Sequence, residues 1–295
     1  MKSTQLDLLE GHPLKDSPSF RNDRQLMMLP FFTLGRKPVH EGQEHRWREG
    51  DADLFIRNSP GEDGLPTMFD LDILIGVITI IVQAMNRNEP VTPRVSFHVH
   101  DMLTSIGRGT GGREYALFLA SLKRLKGTTV FTNVTAGDQI EDGGFGWLQS
   151  FKIAKRRLPS GKEVMQKCEV VICDWLFNAI VVEKRVLSMD PDYFALESGL
   201  ERKVYQIIRA HLGNKTFWHI GLDRLHEKTG SSSQKKRFNY EMRQMIERDP
   251  FPEWALYLSE DGRMPVAIPK DGPKLATRRP LFLVVHRRTA PRLIS

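Results

Sequence analysis

Residues 220–248 have the sequence IGLDRLHEKTGSSSQKKRFNYEMRQMIER, and this stretch decides how the fold is interpreted. A short amphipathic segment, Ile220 to Lys228, ends at Gly230. Ser231 then begins a longer helical pattern, which runs to Arg248 and stops just before a proline, because proline cannot continue a helix. Two helices joined by a short turn that contains glycine are typical of a helix-turn-helix.

The flanking segments extend this helix-turn-helix into a longer order of elements. A long helical pattern and a short β-rich segment precede it, and two strand patterns separated by a glycine turn follow it. These segments are Tyr193–Leu212, Lys215–Trp218, Trp254–Leu258 and Met264–Ile268, with the turn at Glu260–Gly262. Helix, strand, helix, turn, helix and hairpin is the order of a winged helix.

The first half of the chain repeats the same order. Its segments are Met68–Asn86, Val95–Val99, Met102–Ile106, the turn Gly107–Gly112, Arg113–Lys126, and the strand pair Phe145–Arg157 and Val164–Cys173. Few residues match between the two copies, so the repeat is one of structural order. We therefore predict an α+β protein built from two tandem winged-helix domains, an internal structural duplication.

The N-terminal region lies outside this repeat and predicts an extension. Residues 1–25 are polar and contain proline and glycine, so we expect a flexible tail. Leu26 begins an apolar cluster, and His45–Trp47 and Ala52–Ile56 predict short strands before the first winged helix. The expected domains are residues 26–190, which include this extension, and residues 191–295, which end in a basic tail.

The composition is that of a soluble globular protein, with 40% hydrophobic and 27% charged residues. The longest apolar run, Ile73–Val82, is shorter than the roughly 18 residues that a membrane-spanning helix needs. The N-terminus lacks an apolar stretch with a cleavage site. Cys168 and Cys173 fit neither a disulfide framework nor a zinc site. We expect a cytoplasmic protein that does not bind a membrane.

Positive charge is in excess and is unevenly placed. The formal net charge is +7 and the isoelectric point is about 9.4. Residues 1–60 are balanced, whereas residues 263–295 contain eight basic residues and a single acidic one. Arg108–Lys126 and Lys152–Lys167 are also basic. Separate basic segments favour a surface that follows a polyanion such as nucleic acid, and the alternative is ordinary solvated charge.

The last helix of the second copy offers candidate DNA-binding residues. At about 100° per residue, Phe238, Met242, Met245 and Ile246 form an apolar stripe that should face the core. The candidates away from this stripe are Ser232, Ser233, Lys236, Tyr240 and Arg243, with Arg237 and Asn239 at the flanks. Such side chains contact base edges and phosphates in a major groove. Lys235 lies nearer the apolar side and suits a phosphate contact, and the serines can cap the helix.

The corresponding helix of the first copy differs in its outer face. Phe118, Leu122 and Leu125 predict its core stripe. The far side has Arg113, Ala116, Ala120, Lys123 and Arg124. Small residues flanked by basic ones permit a close approach to a DNA backbone but provide few groups for base readout. We expect this helix to hold phosphates through Arg113, Lys123 and Arg124, or to pack against a partner.

Sequence patterns for catalysis are weak. Gly107–Gly112 matches G-x-G-x-x-G, but a helical pattern precedes it, and Arg113-Glu114 stands where a P-loop needs lysine and a hydroxyl residue. His98 and His100 share a strand face without further metal ligands at a convincing spacing. We expect no catalytic residues, no metal site and no cofactor, and hence a protein that is not an enzyme.

Three segments resemble the plasmid replication initiator A family: Leu29–Leu34, Gly64–Ile75 and Gly111–Tyr115. The resemblance extends from about Leu26 to about Arg288. It implies tandem winged helices that bind repeated sites on double-stranded DNA at a plasmid origin and initiate replication. The implied partners are the host initiator, the replicative helicase or its loader, and a second copy of the chain.

Two other functions remain compatible with the sequence. A winged-helix transcriptional regulator would use the same helices, and both roles are compatible because initiators commonly repress their own promoter. The interpretation of the protein as a nucleotide-binding enzyme depends on Gly107–Gly112 alone. We also expect a monomer–dimer equilibrium whose interface is formed by the first winged helix and the extension Leu26–Ile56. Packing of the extension onto the first domain is the alternative; its apolar residues include Leu29, Phe31, Phe32, Trp47 and Phe55.

Overall fold

The computed structural model describes residues 20–49, 52–134, 143–157, 163–213, 215, 217–259 and 281–286. The fold is mixed α+β, and the chain divides into two compact units. The first unit contains residues up to Leu26 together with Phe31–Ala195, and the second contains Met27–Pro30 together with residues from Leu196 onward. In the part of the chain that is described, every helix is too short or too polar to cross a lipid bilayer.

The helices and strands are as follows, in chain order. The helices are α1 (Arg24–Met28), α2 (Leu71–Asn86), α3 (Val99–Ser105), α4 (Gly112–Gly127), α5 (Asp174–Val181), α6 (Gly199–Leu212), α7 (Leu222–Thr229) and α8 (Lys235–Arg248). The strands are β1 (Phe20–Asp23), β2 (Gln43–Glu49), β3 (Ala52–Ser59), β4 (Arg94–His98), β5 (Thr129–Thr132), β6 (Gly143–Phe145), β7 (Leu148–Arg157), β8 (Glu163–Ile172), β9 (Val186–Met189), β10 (Phe217–Gly221), β11 (Trp254–Ser259) and β12 (Leu281–His286).

The core of the first unit is built around α2. This helix is apolar on nearly all sides, and most of its residues from Leu71 to Ala84 are buried. Strands β4, β8 and β7 form an antiparallel sheet in that order. A second, four-stranded sheet has the order β2-β3-β5-β6. It includes the two strands expected in the extension.

The second unit repeats the strand order of the first. Its sheet has the order β10-β12-β11, so the strand that precedes the second helix pairs with the last strand, as β4 pairs with β8. Strand β11 pairs with β12, so that Trp254 lies opposite His286 and Ser259 opposite Leu281. The strand expected at Met264–Ile268 lies outside the described residues.

The structure confirms the end of the predicted helix Tyr193–Leu212 but not its start. Pro191–Ala195 is a short 3₁₀ turn, and α6 begins only after Ser198. The Ser198 hydroxyl accepts a hydrogen bond from the Glu201 backbone N–H at 3.1 Å, and the Glu201 carboxylate accepts one from the Ser198 N–H at 3.0 Å. This capping box fixes the start of the helix. The first unit accordingly ends at Ala195, five residues beyond the boundary expected at residue 190.

The expectation of a flexible tail over residues 1–25 fails for its last six residues, while residues 1–19 lie outside the described part. Phe20–Asp23 forms β1, which pairs antiparallel with β9. Asn22 and Asp23 are fully buried, and Asp23 lies 3.3 Å from the Arg185 guanidinium. The pairing partner is more than 160 residues away along the chain, so no local pattern could indicate this strand.

A buried lysine holds the N-terminal segment of the second unit. Lys203 of α6 is fully buried, and its Nζ donates hydrogen bonds to the carbonyl oxygens of Met27 at 3.1 Å and Leu29 at 2.6 Å. Burial and, to a smaller extent, the charge of Lys228 together lower the pKa of Lys203 to about 7. The residues Met27–Pro30 therefore complete the unit through a group whose protonation changes near neutral pH.

We predict that the free energy of unfolding rises with pH between about 7 and 9. The unfolded chain keeps Lys203 protonated in this range because its ordinary pKa is 10.5, whereas the folded chain releases the proton above about 7. One group limits the slope to about 1.4 kcal/mol per pH unit. Above pH 9, Cys168 and Cys173 lower the free energy of unfolding as the pH rises. Burial raises the pKa of each thiol from 9.0 to about 12, so the thiols ionise first in the unfolded chain.

Urea unfolding at several pH values within this window measures the slope. Lys203→Met should flatten it, whereas Lys236→Met changes an exposed lysine and should leave it intact. A slope that persists unchanged in Lys203→Met would assign it to another group.

Candidate nucleic-acid interface

Helix α8 forms the core-facing stripe that its periodicity predicts. Phe238 and Met242 are fully buried, Met245 is 1% exposed, and Ile246 is partly buried. The ring of Phe238 packs against His226 of α7, with 4.5 Å between the ring centroids. This contact helps to orient α8 against α7, and it leaves the opposite face of α8 to solvent.

The solvent face of α8 is cationic at its N-terminal end. Lys236, Arg237, Tyr240 and Arg243 are exposed, and Asn239 is partly buried. Arg237 pairs with Glu241 at 2.9 Å, one turn along the helix. Farther along the same face, Glu247 is exposed and accepts a hydrogen bond from Gln244 at 3.0 Å. A phosphate backbone would therefore be attracted to the first half of the helix.

The serines do not have their predicted capping role, and Lys235 lies beside an acidic residue of α7. Helix α8 begins at Lys235, with Gln234 at the N-cap and no side-chain cap hydrogen bond there, so the serines do not cap the helix. Ser232 is exposed, and the Ser233 N–H donates to the Ser231 hydroxyl at 3.3 Å. The Lys235 ammonium lies 3.2 Å from the Asp223 carboxylate of α7. Both partners are exposed, and an exposed ion pair is weak enough to exchange for a phosphate.

Helix α4 occupies the corresponding position in the first unit. Phe118, Leu122 and Leu125 are fully buried, as predicted. Arg113 and Lys123 are exposed near the two ends of the helix. The solvent face between them consists of Ala116, Leu117 and Ala120, and Leu117 is 43% exposed. This face has few groups that could form hydrogen bonds with base edges.

Arg124 does not belong to this solvent face. Its guanidinium forms two hydrogen bonds with the Asp70 carboxylate, at 2.8 and 2.7 Å, and its side chain is only 12% exposed. Burial alone would raise the pKa of Asp70, but the hydrogen bonds and charge of Arg124 outweigh it and lower that pKa below 3.8. Removing one partner of a buried ion pair costs about 3–5 kcal/mol. The predicted DNA contact is therefore replaced by a structural one.

The glycine-rich turn connects two helices. Helix α3 ends at Ser105 and α4 begins at Gly112, and Gly107 has a φ of +70°, which favours glycine. The Arg108 guanidinium donates to the Asp72 carboxylate at 3.1 Å and to the Phe69 carbonyl oxygen. A dinucleotide fingerprint requires a strand immediately before the glycines, and this turn follows a helix.

The β7–β8 hairpin has exposed basic residues that were not among the candidates predicted from the sequence. Lys152, Lys155, Arg156 and Arg157 are exposed on β7. Glu163 pairs with Lys155 at 3.3 Å and with Arg157 at 3.4 Å. In the sequence, only the basic stretch Lys152–Lys167 indicated this surface. The basic tail, with Arg287, Arg288 and Arg292, lies outside the described residues.

The histidine pair belongs to a small polar group on the surface. His98 Nδ1 lies 3.9 Å and His100 Nδ1 lies 3.5 Å from the Asp101 carboxylate. Within the described ranges, no three histidine, cysteine, aspartate or glutamate residues lie together in a way that could hold a metal ion. Cys168 and Cys173 are buried thiols.

Comparisons with known proteins identify relatives that match most of the chain. The family model described as Replication initiator protein A matches residues 21–256. A candidate replication protein from Wigglesworthia glossinidia brevipalpis is 30% identical over 239 residues, which cover 80% of this chain and 84% of the relative.

Solved structures of similar fold include two of domains 2 and 3 of RctB. One has a TM-score of 0.61 at 14% identity and covers 88% of this chain and 97% of that one. The other has a TM-score of 0.57 at 12% identity, with coverages of 89% and 96%. The Pi initiator protein in complex with iteron DNA has a TM-score of 0.43 at 11% identity, with coverages of 78% and 97%. At these identities the similarity concerns the fold alone.

Proposed function

Because this chain belongs to the replication initiator protein A family, we propose that it recognises repeated sites on double-stranded DNA at a plasmid origin and recruits host replication proteins there. The observation that carries the proposal is the exposed cationic face of α8, which follows α7 in a helix-turn-helix and presents Lys236, Asn239 and Arg243. Hydrogen-bonding and cationic side chains on such a helix suit the major groove.

The proposed architecture is a tandem pair of winged helices. It is supported by the identical strand order of the sheets β4-β8-β7 and β10-β12-β11 and by the helix pairs α3–α4 and α7–α8. Two DNA-binding units in one chain would suit a long site, because each unit can cover its own part of the duplex.

The two units would contribute different contacts. In this proposal α8 provides base readout, while Arg113 and Lys123 of α4 hold phosphates. The basic β7–β8 hairpin would act as a wing that contacts the backbone. Phosphate contacts position the protein and add affinity without sequence preference, so the division places specificity in the second unit.

The remaining partners follow from the same role. The host initiator and the replicative helicase or its loader would bind the protein in the cytoplasm once it occupies the origin. DNA binding and recruitment require neither a catalytic residue nor a cofactor, so we propose that the protein is not an enzyme. Repression of its own promoter is compatible with the same DNA contacts.

We predict that this gene, together with its neighbouring DNA, sustains a circle that cannot otherwise replicate. Transformation efficiency and copy number are the measurements. A matched circle encoding Lys236→Ala and Arg243→Ala should fail, because both substitutions lie on the exposed face of α8 and should not disturb the fold. If the unaltered circle is lost while a reporter under the gene's promoter is still repressed, the protein is a transcriptional regulator.

We predict different losses of DNA affinity for the two helices. Lys236→Ala or Arg243→Ala should weaken binding to the origin repeat by roughly 1–3 kcal/mol and binding to scrambled DNA much less. Arg113→Ala or Lys123→Ala should weaken both equally and reduce the slope of log K against log salt by about 0.9 per lost phosphate contact. Competition binding at several salt concentrations measures both effects. Equal losses on both duplexes for the α8 variants would contradict base readout.

We also propose self-association through the first unit. Of the apolar residues in the extension, Leu29, Phe31 and Phe32 are buried within the fold, so they pack within the chain. Trp47 on β2 and Phe55 on β3 are only partly buried. Strand β2 is at the edge of its sheet, and an edge strand offers unpaired backbone groups to a second copy.

We predict that the full chain forms a monomer–dimer equilibrium and that Trp47→Ala shifts it toward monomer. Sedimentation velocity over a range of concentrations measures the shift. Tyr240→Ala, which truncates an exposed aromatic side chain in the second unit, is the matched control. An unchanged equilibrium in Trp47→Ala would place the interface away from β2.

A further inference from the structure

An aromatic side chain stands in the middle of the cationic face of α8. Tyr240 is 62% exposed, and it is the only exposed aromatic residue among those that the structure describes. Most aromatic side chains bury a large apolar area, so a ring left open to solvent on a binding face is available for burial by a ligand. The position of Tyr240 along α8 indicates which kind of ligand would bury the ring.

The angular position of Tyr240 is directly opposite the core. At 100° per residue, Phe238, Met242 and Met245 point to one side of α8, and Tyr240 points to the other. Lys236 lies one turn before it and Arg243 about one turn after it on the same face. A polyanion attracted to these two cations would therefore meet the Tyr240 ring, which lies between them on the same face.

The charge gradient along α8 sets which part of the helix approaches DNA. Lys235, Lys236 and Arg237 form its first turn, whereas Glu247 is exposed near its end. A glutamate would be repelled by phosphates, so the N-terminal half should enter the groove, as recognition helices commonly do. Tyr240 is the sixth residue of α8 and belongs to this half.

The major groove offers one apolar group to such a ring, the 5-methyl of thymine. A tyrosine ring has few rotatable bonds, so ordering it against a methyl group costs little conformational entropy. Base edges provide only hydrogen-bonding atoms besides this methyl, and the lysine and arginine neighbours of Tyr240 suit those atoms and the phosphates.

We propose that Tyr240 packs its ring against the 5-methyl group of a thymine and thereby specifies a T·A pair in each DNA site. This inference rests on the proposed DNA-binding function and deepens it. Lys236 and Arg243, on either side of Tyr240, attract the DNA, and Tyr240 at the centre of the face distinguishes thymine from the other bases.

The experiment selects bound sequences from a random 20-base-pair duplex library, using the full chain and three variants. The variants are Tyr240→Ala, Tyr240→Phe and the control Val182→Ala, and each changes an exposed side chain or only its hydroxyl. In Tyr240→Ala, the preference for thymine should disappear at one or two adjacent positions and persist elsewhere. Tyr240→Phe keeps the ring and should retain the preference, as should Val182→Ala.

A second measurement replaces the selected thymine with deoxyuridine, which removes only the methyl group. The unaltered protein should bind about fourfold more weakly, the equivalent of one buried methyl group. Tyr240→Ala should bind both duplexes equally. The inference is overturned if Tyr240→Ala keeps the full preference, or if Tyr240→Phe loses it, since the hydroxyl would then be the reading group. If even the unaltered protein selects no sequence, the proposed function itself fails.

Discussion

The buried ion pair between Asp70 and Arg124 is the constraint on which the first unit depends. Asp70 precedes the first turn of α2, and Arg124 lies in the last turn of α4, so the pair fixes the second helix of the helix-turn-helix against the central helix. The Thr67 backbone N–H also donates to the Asp70 carboxylate, at 2.7 Å. Two residues farther on, Asp72 holds Arg108 of the glycine-rich turn. The start of α2 thus anchors both the turn and the helix that follows it.

In the second unit, a capping box, an ion pair and apolar packing hold the helices in place. The capping box at Ser198 sets the start of α6, and the Glu201 carboxylate that completes it also lies 2.7 Å from the Arg248 guanidinium at the end of α8. Apolar packing of Phe238 and Met242 supplies the rest. The exposed face of α8 presents Lys236, Tyr240 and Arg243.

The sequence predicts the helices and their faces well, because periodicity is a local property. The buried stripes of α4 and α8 follow directly from the spacing of Phe118, Leu122, Phe238 and Met242. Long-range pairing could not be predicted in this way. The sequence places Arg124 on the outer face of α4, but its long side chain turns back to a carboxylate 54 residues away. Strand β1 and the pairing of β11 with β12 likewise depend on distant segments. The α8 residues on which the proposed readout depends were accessible to sequence analysis; the hairpin cations were visible only as a basic stretch.

The hydrogen bonds of Lys203 to Met27 and Leu29 join residues 176 and 174 positions apart, which makes the second unit discontinuous in sequence. This separation has a kinetic consequence. During synthesis, Met27–Pro30 leaves the ribosome long before α6 exists, so those residues must remain uncommitted until most of the chain has been made. Non-local contacts of this kind slow folding because the entropy of closing the loop is lost before the contact is gained. The second unit can therefore complete its core only late, after the first unit has had time to fold.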